Sequence, residues 1–188
     1  DKYDTNYKLG AVDIASSYYF EGVNQFQLRV GPKKNIDDTI SRLYSMNEGF
    51  QIVEDTHKIK NLSKLVLTFI QDENGQFVNY ADEVLDFLFK SIYDNKKLTS
   101  RIIGFDFSGP ESNRNWKSIC SIISFLKVFN VNLYKKNGHH VEIMLHIGEY
   151  VDSHNWQIIM QEIENFIRLG VDRISHGTIL WLGPEIIN

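Results

Sequence analysis

The stretch Val141-Glu142-Ile143-Met144-Leu145-His146-Ile147-Gly148-Glu149 decides the fold more than any other. Its short β-rich apolar run predicts a buried strand over Val141 to His146. The strand closes on a histidine, with a glycine and a carboxylate directly after it. An imidazole and an acid therefore fall on one rim of the sheet. Alone the pattern is weak, because a histidine that ends a strand is more often a hydrogen-bonded structural residue and a following glutamate is more often simply exposed.

Two further stretches repeat it. Gly104-Phe105-Asp106-Phe107-Ser108-Gly109-Pro110-Glu111 puts an acid inside the apolar strand Arg101 to Phe107 and a glycine at its rim. Asp106 there reads equally as an acceptor for neighbouring backbone N–H groups. Arg173-Ile174-Ser175-His176-Gly177 ends the short strand Asp172 to Ser175 in a histidine and then a glycine, where a Cβ would obstruct close approach of a ligand.

Outward from these strands the chain alternates. Ala11 to Glu21 reads as a helix and Asn24 to Val30 as a strand stopped by Gly31-Pro32. Ile36 to Met46 carries a helical stripe, Lys64 to Gln71 is β-rich, and Val84, Leu85, Leu88, Phe89 and Ile92 mark another helix. A long helix begins near Asn115. Another begins at Asp152 and Ser153 and stops at Gly170. Five strands roughly 30 to 40 residues apart, each separated by a helix, predict a parallel sheet with right-handed crossovers. A doubly wound open sheet satisfies that pattern too. The barrel is favoured because Asp106, His146 and His176 each close a strand, and barrels gather catalytic residues at the C-terminal ends of several strands. No linker interrupts the chain, so residues 1–188 read as a single domain.

Composition narrows the function. The chain has 188 residues, is 43% hydrophobic and carries a net charge of -4. Nucleic-acid binding shows itself as clustered Lys/Arg excess, and the pairs Lys33-Lys34, Lys96-Lys97 and Lys135-Lys136 fall between periodic segments as solvated turn charges. The single cysteine, Cys120, excludes an intrachain disulfide and sits among isoleucines as a buried small side chain. Apolar stretches fall short of the roughly 18 residues of a membrane span. A soluble, cytoplasmic setting is expected.

Taken together, these motifs resemble the adenosine and AMP deaminase family of the amidohydrolase superfamily. Its fourth-strand apolar-Asp-apolar-Ala-Gly-x-Glu is similar to Phe105 to Glu111, its His-Ala-Gly-Glu to His146 to Glu149, and its Gly-His-Gly to Ser175 to Gly177. Gln27-Leu28-Arg29-Val30-Gly31-Pro32 resembles a degraded copy of the second-strand Glu-x-Arg-x-Ser-Pro. Order and spacing agree over roughly Gln27 to Gly177, nearly the whole chain.

The resemblance implies a metal-dependent (β/α)8 barrel of which this chain holds strands two to six. It implies that His146 is a zinc ligand, that Glu149 donates a proton to the purine ring, and that His176 orients and deprotonates the metal-bound water. Asp106 and Gly109 would bind substrate, Gly109 through its backbone. The implied reaction is hydrolytic deamination of an adenine nucleoside or nucleotide with one zinc ion, since zinc lowers the pKa of bound water to about 7. Several positions depart from the family. Ile147 replaces a small alanine, Ser175 a glycine, Pro110 an acid and Gln27 a glutamate.

The family's first-strand His-x-His and eighth-strand Asp-Asp have no counterpart in the chain. His139-His140 lies on the opposite rim, and His57 and His154 lie in loop-like contexts. These residues are therefore expected to be a segment of a larger polypeptide, its partner being the remainder of that chain, with a homo-oligomer left open. Two alternatives remain at this stage: an inactive barrel kept as a scaffold or assembly subunit, or another amidohydrolase reaction. A cytidine-type deaminase is excluded, because its P-C-x-x-C motif needs two cysteines.

Overall fold

The structure is a computed structural model that describes residues 4–31, 35–76, 85–87, 90, 95–111, 114–149 and 156–177. Its elements are α1 (Thr5–Phe20), β1 (Phe26–Val30), α2 (Ile36–His57), β2 (Ser63–Ile70), α3 (Lys96–Arg101), β3 (Ile102–Ser108), α4 (Trp116–Asn137), β4 (Glu142–Ile147), α5 (Trp156–Leu169) and β5 (Arg173–His176). The strands form one sheet in the order β1-β2-β3-β4-β5, and every neighbouring pair is parallel. Helix following strand and strand following helix leave no short hairpin, so parallel pairing is the arrangement the chain can reach.

Asparagines start three helices. The side chains of Asn35, Asn95 and Asn115 each accept a hydrogen bond from the amide three residues on, satisfying a donor that the first helical turn leaves unpaired. Helix α2 runs eleven residues past the Met46 expected from its stripe, because Phe50 and Val53 continue the buried face while buried Asn47 and Glu54 interrupt its apolar pattern. His57 is the last residue of α2, stacked on Tyr19 at 4.0 Å. The short helix α3 was not foreseen. Most of the helix expected around Val84 to Ile92, together with the Asp152-Ser153 start and His154, lies outside the described residues.

The two faces of the sheet differ sharply. Leu65, Leu67, Phe69, Phe105, Phe107, Ile143, Leu145 and Ile147 join Leu43, Phe50, Ile123, Leu126, Phe129 and Ile163 of the helices in one apolar core. Val66 and Met144 are buried yet stand apart from it, on the other face. That face also carries Arg29, Asp106, His146 and Ser175, because side chains alternate along a strand. Cys120 packs half-buried against the core, and burial pushes its thiol up.

The sheet is strongly curled. In a flat sheet β1 and β5 would lie roughly 19 Å apart, four strand spacings. That exceeds what an arginine and a serine side chain bridge together, yet Arg29 of β1 donates to Ser175 Oγ of β5 at 3.1 Å. The described residues thus form an α/β half-barrel, with the helices outside and a polar concave face. No helix among them is long and apolar enough to cross a membrane.

At the N-terminal ends of β2 and β3, Arg101 forms a fork with Glu54: Nη1 to Oε1 and Nη2 to Oε2, both at 3.0 Å. Its Nε donates to Asn47 Oδ1 and its Nη1 to the Ser63 carbonyl. Burial pushes the Glu54 carboxyl up, but hydrogen bonding and charge from Arg101, with help from Ser63, leave it below its ordinary value. Removing one partner strands a buried charge. Arg101→Met should therefore lower stability by about 3–5 kcal/mol in urea unfolding. Because the folded Glu54 carboxyl sits below the unfolded value of 4.5, its contribution is full above that pH and disappears as pH falls through the folded value. The melting temperature of the wild type should drop more steeply over that window than that of Arg101→Met.

Candidate active site at the strand ends

Asp106 sits in β3 with a fully buried side chain. Its Oδ2 lies 2.9 Å from His146 Nε2 and 3.3 Å from Arg29 Nε. A carboxylate only accepts, so His146 donates from Nε2, and in the neutral ring this leaves the Nδ1 electron pair free. Asp106 Oδ1 is buried without a hydrogen-bond partner among the described residues. A buried acceptor left unmade costs about 1–3 kcal/mol, which marks the spot where a donor or cation would be stabilised.

The next strand brings the second imidazole to the same place. The His146 and His176 rings meet edge to face with centroids 4.8 Å apart. Strict alternation would send the side chain of His176 to the helix side, since Ser175 faces Arg29. His176 instead adopts φ 72, a left-handed backbone costing roughly 1–2 kcal/mol in a residue with a Cβ, and this turns its ring onto the rim. His176 Nε2 then stands 3.7 Å from Glu149 Oε2, within ion-pair reach but too long for a hydrogen bond. Asp106, His146, His176 and Glu149 thus form a continuous line of side chains across three strand ends.

Gly109 lies beside them at φ 133, and a Cβ there would fall 2.6 Å from the Gln71 carbonyl oxygen. Glycine is required by both conformation and space. Its carbonyl accepts from Arg114 Nη2 at 2.7 Å, and Arg114 Nη1 donates to the His146 carbonyl. Arg114 is buried over the Trp116 ring and clamps the exits of β3 and β4 together. Burial pulls its guanidinium down, while the charges of Glu111, Glu162, Glu149 and Asp106 act the other way. Glu111 Oε1 accepts from the Glu149 amide at 2.9 Å, fixing the backbone of that acid.

All five residues singled out in the sequence lie at this rim. Arg114 carries no motif that marks it in the sequence, and Arg29 and Glu111 stand there without an assigned role. Arg114 sits just before a helix start, where a charged residue looks like a solvated turn, and only its contact with two carbonyls, one in β4 and one just past β3, sets it apart. His139, expected at the surface, is half-buried; burial lowers its imidazole below the ordinary value.

Two clefts of about 100 and 470 Å³ lie at the opposite rim, lined by Gln51, Glu54, Asn61 and several lysines. Their shared floor is the Glu54 side of the ion pair already satisfied by Arg101, so the chemical interest stays with the histidine rim. Compared with known proteins, the sequence matches no family model and no curated relative.

Gly109→Ala should cost roughly 1–3 kcal/mol through its backbone conformation, with the contact against Gln71 adding to it. Urea unfolding checks this. Wild-type stability in Gly109→Ala would mean that the loop after β3 relaxes freely.

Proposed function

We propose that this chain supplies part of the active site of a zinc-dependent hydrolytic deaminase acting on an adenine nucleoside or nucleotide. The observation that carries the reading is the line Asp106, His146, His176 and Glu149 on the ends of successive parallel strands. Two imidazoles and two carboxyls held at one rim are the groups that such a reaction uses, and the sequence motifs around them resemble the deaminase family in order and spacing.

The donor set fits one zinc ligand. A metal-bound histidine commonly donates its other ring N–H to a carboxylate, as His146 does to Asp106. Among the described residues no three His, Cys, Asp or Glu side chains come together to hold an ion, so His146 would share the metal with ligands from outside them. When bound, zinc makes hydroxide available at neutral pH. The chain's own residues handle the protons. Water adds at C6 of the purine and ammonia leaves, so one proton must reach the ring nitrogen and another the departing amino group. Glu149 delivers the first as a general acid. His176 takes a proton from the attacking water, stabilises the charge on its oxygen and passes that proton to the departing amino group, and the remaining hydroxyl proton returns to Glu149 as the C6 carbonyl forms. Asp106 orients His146 and offers Oδ1 to a donor, and the backbone beside Gly109 faces the base.

In the intact protein, Glu149→Ala should abolish release of ammonia from adenosine and AMP while leaving zinc content unchanged. His146→Ala should lower zinc content itself. Full zinc occupancy in His146→Ala refutes the ligand assignment, and a zinc-loaded wild type inert towards every adenine nucleoside and nucleotide would favour the scaffold alternative.

A further inference from the structure

Arg29 begins on β1, the strand furthest in the sheet from β5. Its guanidinium crosses the concave face to stand 3.3 Å from Asp106 Oδ2 through Nε and to donate to Ser175 Oγ at 3.1 Å through Nη2. One side chain therefore touches strands one, three and five of the sheet. Asp106 is fully buried, and an ionised carboxylate in that position is costly unless it is paired and hydrogen-bonded. His146 supplies one partner at Oδ2, through a single ring N–H. Arg29 is permanently cationic, and its planar fork fixes direction as well as charge.

We propose that Arg29 is a positioning residue for the histidine pair. It holds the Asp106 carboxylate in the orientation that His146 Nε2 meets, and it holds Ser175, the residue next to His176. The 4.8 Å meeting of the two rings depends on both contacts. The effect on turnover rests on the deaminase reading above; the effect on ring placement does not.

Arg173 provides a matched comparison. It lies on the same concave face two residues before Ser175 and pairs with Glu142 Oε2 at 3.2 Å and Gln27 Oε1 at 3.4 Å. It carries the same charge and a similar exposure, and its partners are not those of the histidine rim.

The test uses the intact protein with ring-labelled histidine. In Arg29→Met the imidazole resonances of His146 and His176 should move, because each ring lies in the other's ring current, while those of His57, stacked on Tyr19, should stay. Arg173→Met should leave the His146 and His176 signals in place. Arg29→Lys keeps the charge but reaches only one of the two partners, so it should fold even if Arg29→Met does not, and should still displace the pair. For turnover, kcat of Arg29→Met should fall about 10- to 100-fold, the scale of a small misplacement, with KM changed less than about threefold. Arg173→Met should keep its kcat.

Unmoved His146 and His176 resonances in Arg29→Met or Arg29→Lys overturn the proposal, as does an equal loss of kcat in Arg173→Met. A wild type without deaminase activity whose imidazole signals shift as described defeats the deaminase reading and leaves the role of Arg29 standing. Activity in the wild type with unmoved signals in Arg29→Met or Arg29→Lys does the reverse.

Discussion

A carboxylate buried on the concave face of a parallel sheet governs this structure. Asp106 shows none of its side chain to solvent, and its Oδ2 gathers His146 from the neighbouring strand and Arg29 from two strands away. Arg29, which pairs with this carboxylate, also reaches Ser175, and those two residues could not meet across a flat sheet, so the network seen here goes with a strongly curled one. The same curl brings the ends of β3, β4 and β5 towards a common point. Closure of the polar network and assembly of the candidate site are one geometric event.

That requirement explains the division of labour between the two faces. The convex face is Leu, Ile and Phe packed under helices, and it supplies the hydrophobic stabilisation. The concave face spends little on burial, with Val66 and Met144 as its apolar exceptions; Met144 fills the space that a side chain at Gly104 would need. A similar separation runs along the strand axis. The N-terminal end carries the Glu54–Arg101 pair, a fully engaged fork suited to holding α2 against the sheet. The C-terminal end carries an acceptor with no partner among the described residues, a left-handed histidine and glycines at positive φ, which are departures from ideal structure of the kind that collect at functional sites.

Arg114 links these themes. Its contacts are mainly to backbone carbonyls, so its effect is on where the chain leaves β3 and β4 rather than on any reacting atom. Around it burial raises Glu162 above its ordinary value, against the pull of the Trp116 hydrogen bond and Arg114. A single buried cation thus offsets several acids at the rim while it anchors two loops.

The five parallel strands, the alternation of helix and strand over the described residues, and the placing of Asp106, His146 and His176 towards the C-terminal ends of their strands were legible in the sequence, while most of the helix expected before β3 lies outside those residues. These follow from periodicity and from glycine and proline stops, which act over a few neighbouring residues. Boundaries shifted where tertiary contacts overrode the local pattern: α2 continued to His57 because Phe50 and Val53 found the core, and β5 extended to His176. What the sequence could not contain was the convergence itself. Arg29 and Ser175 are 146 positions apart, and their meeting depends on how far five strands curl together. The left-handed turn at His176 and the clamp at Arg114 are likewise products of packing. The residue types available for chemistry were fixed by the chain; their distances to one another were fixed by the curvature of the sheet, a property of all its strands and of no single stretch.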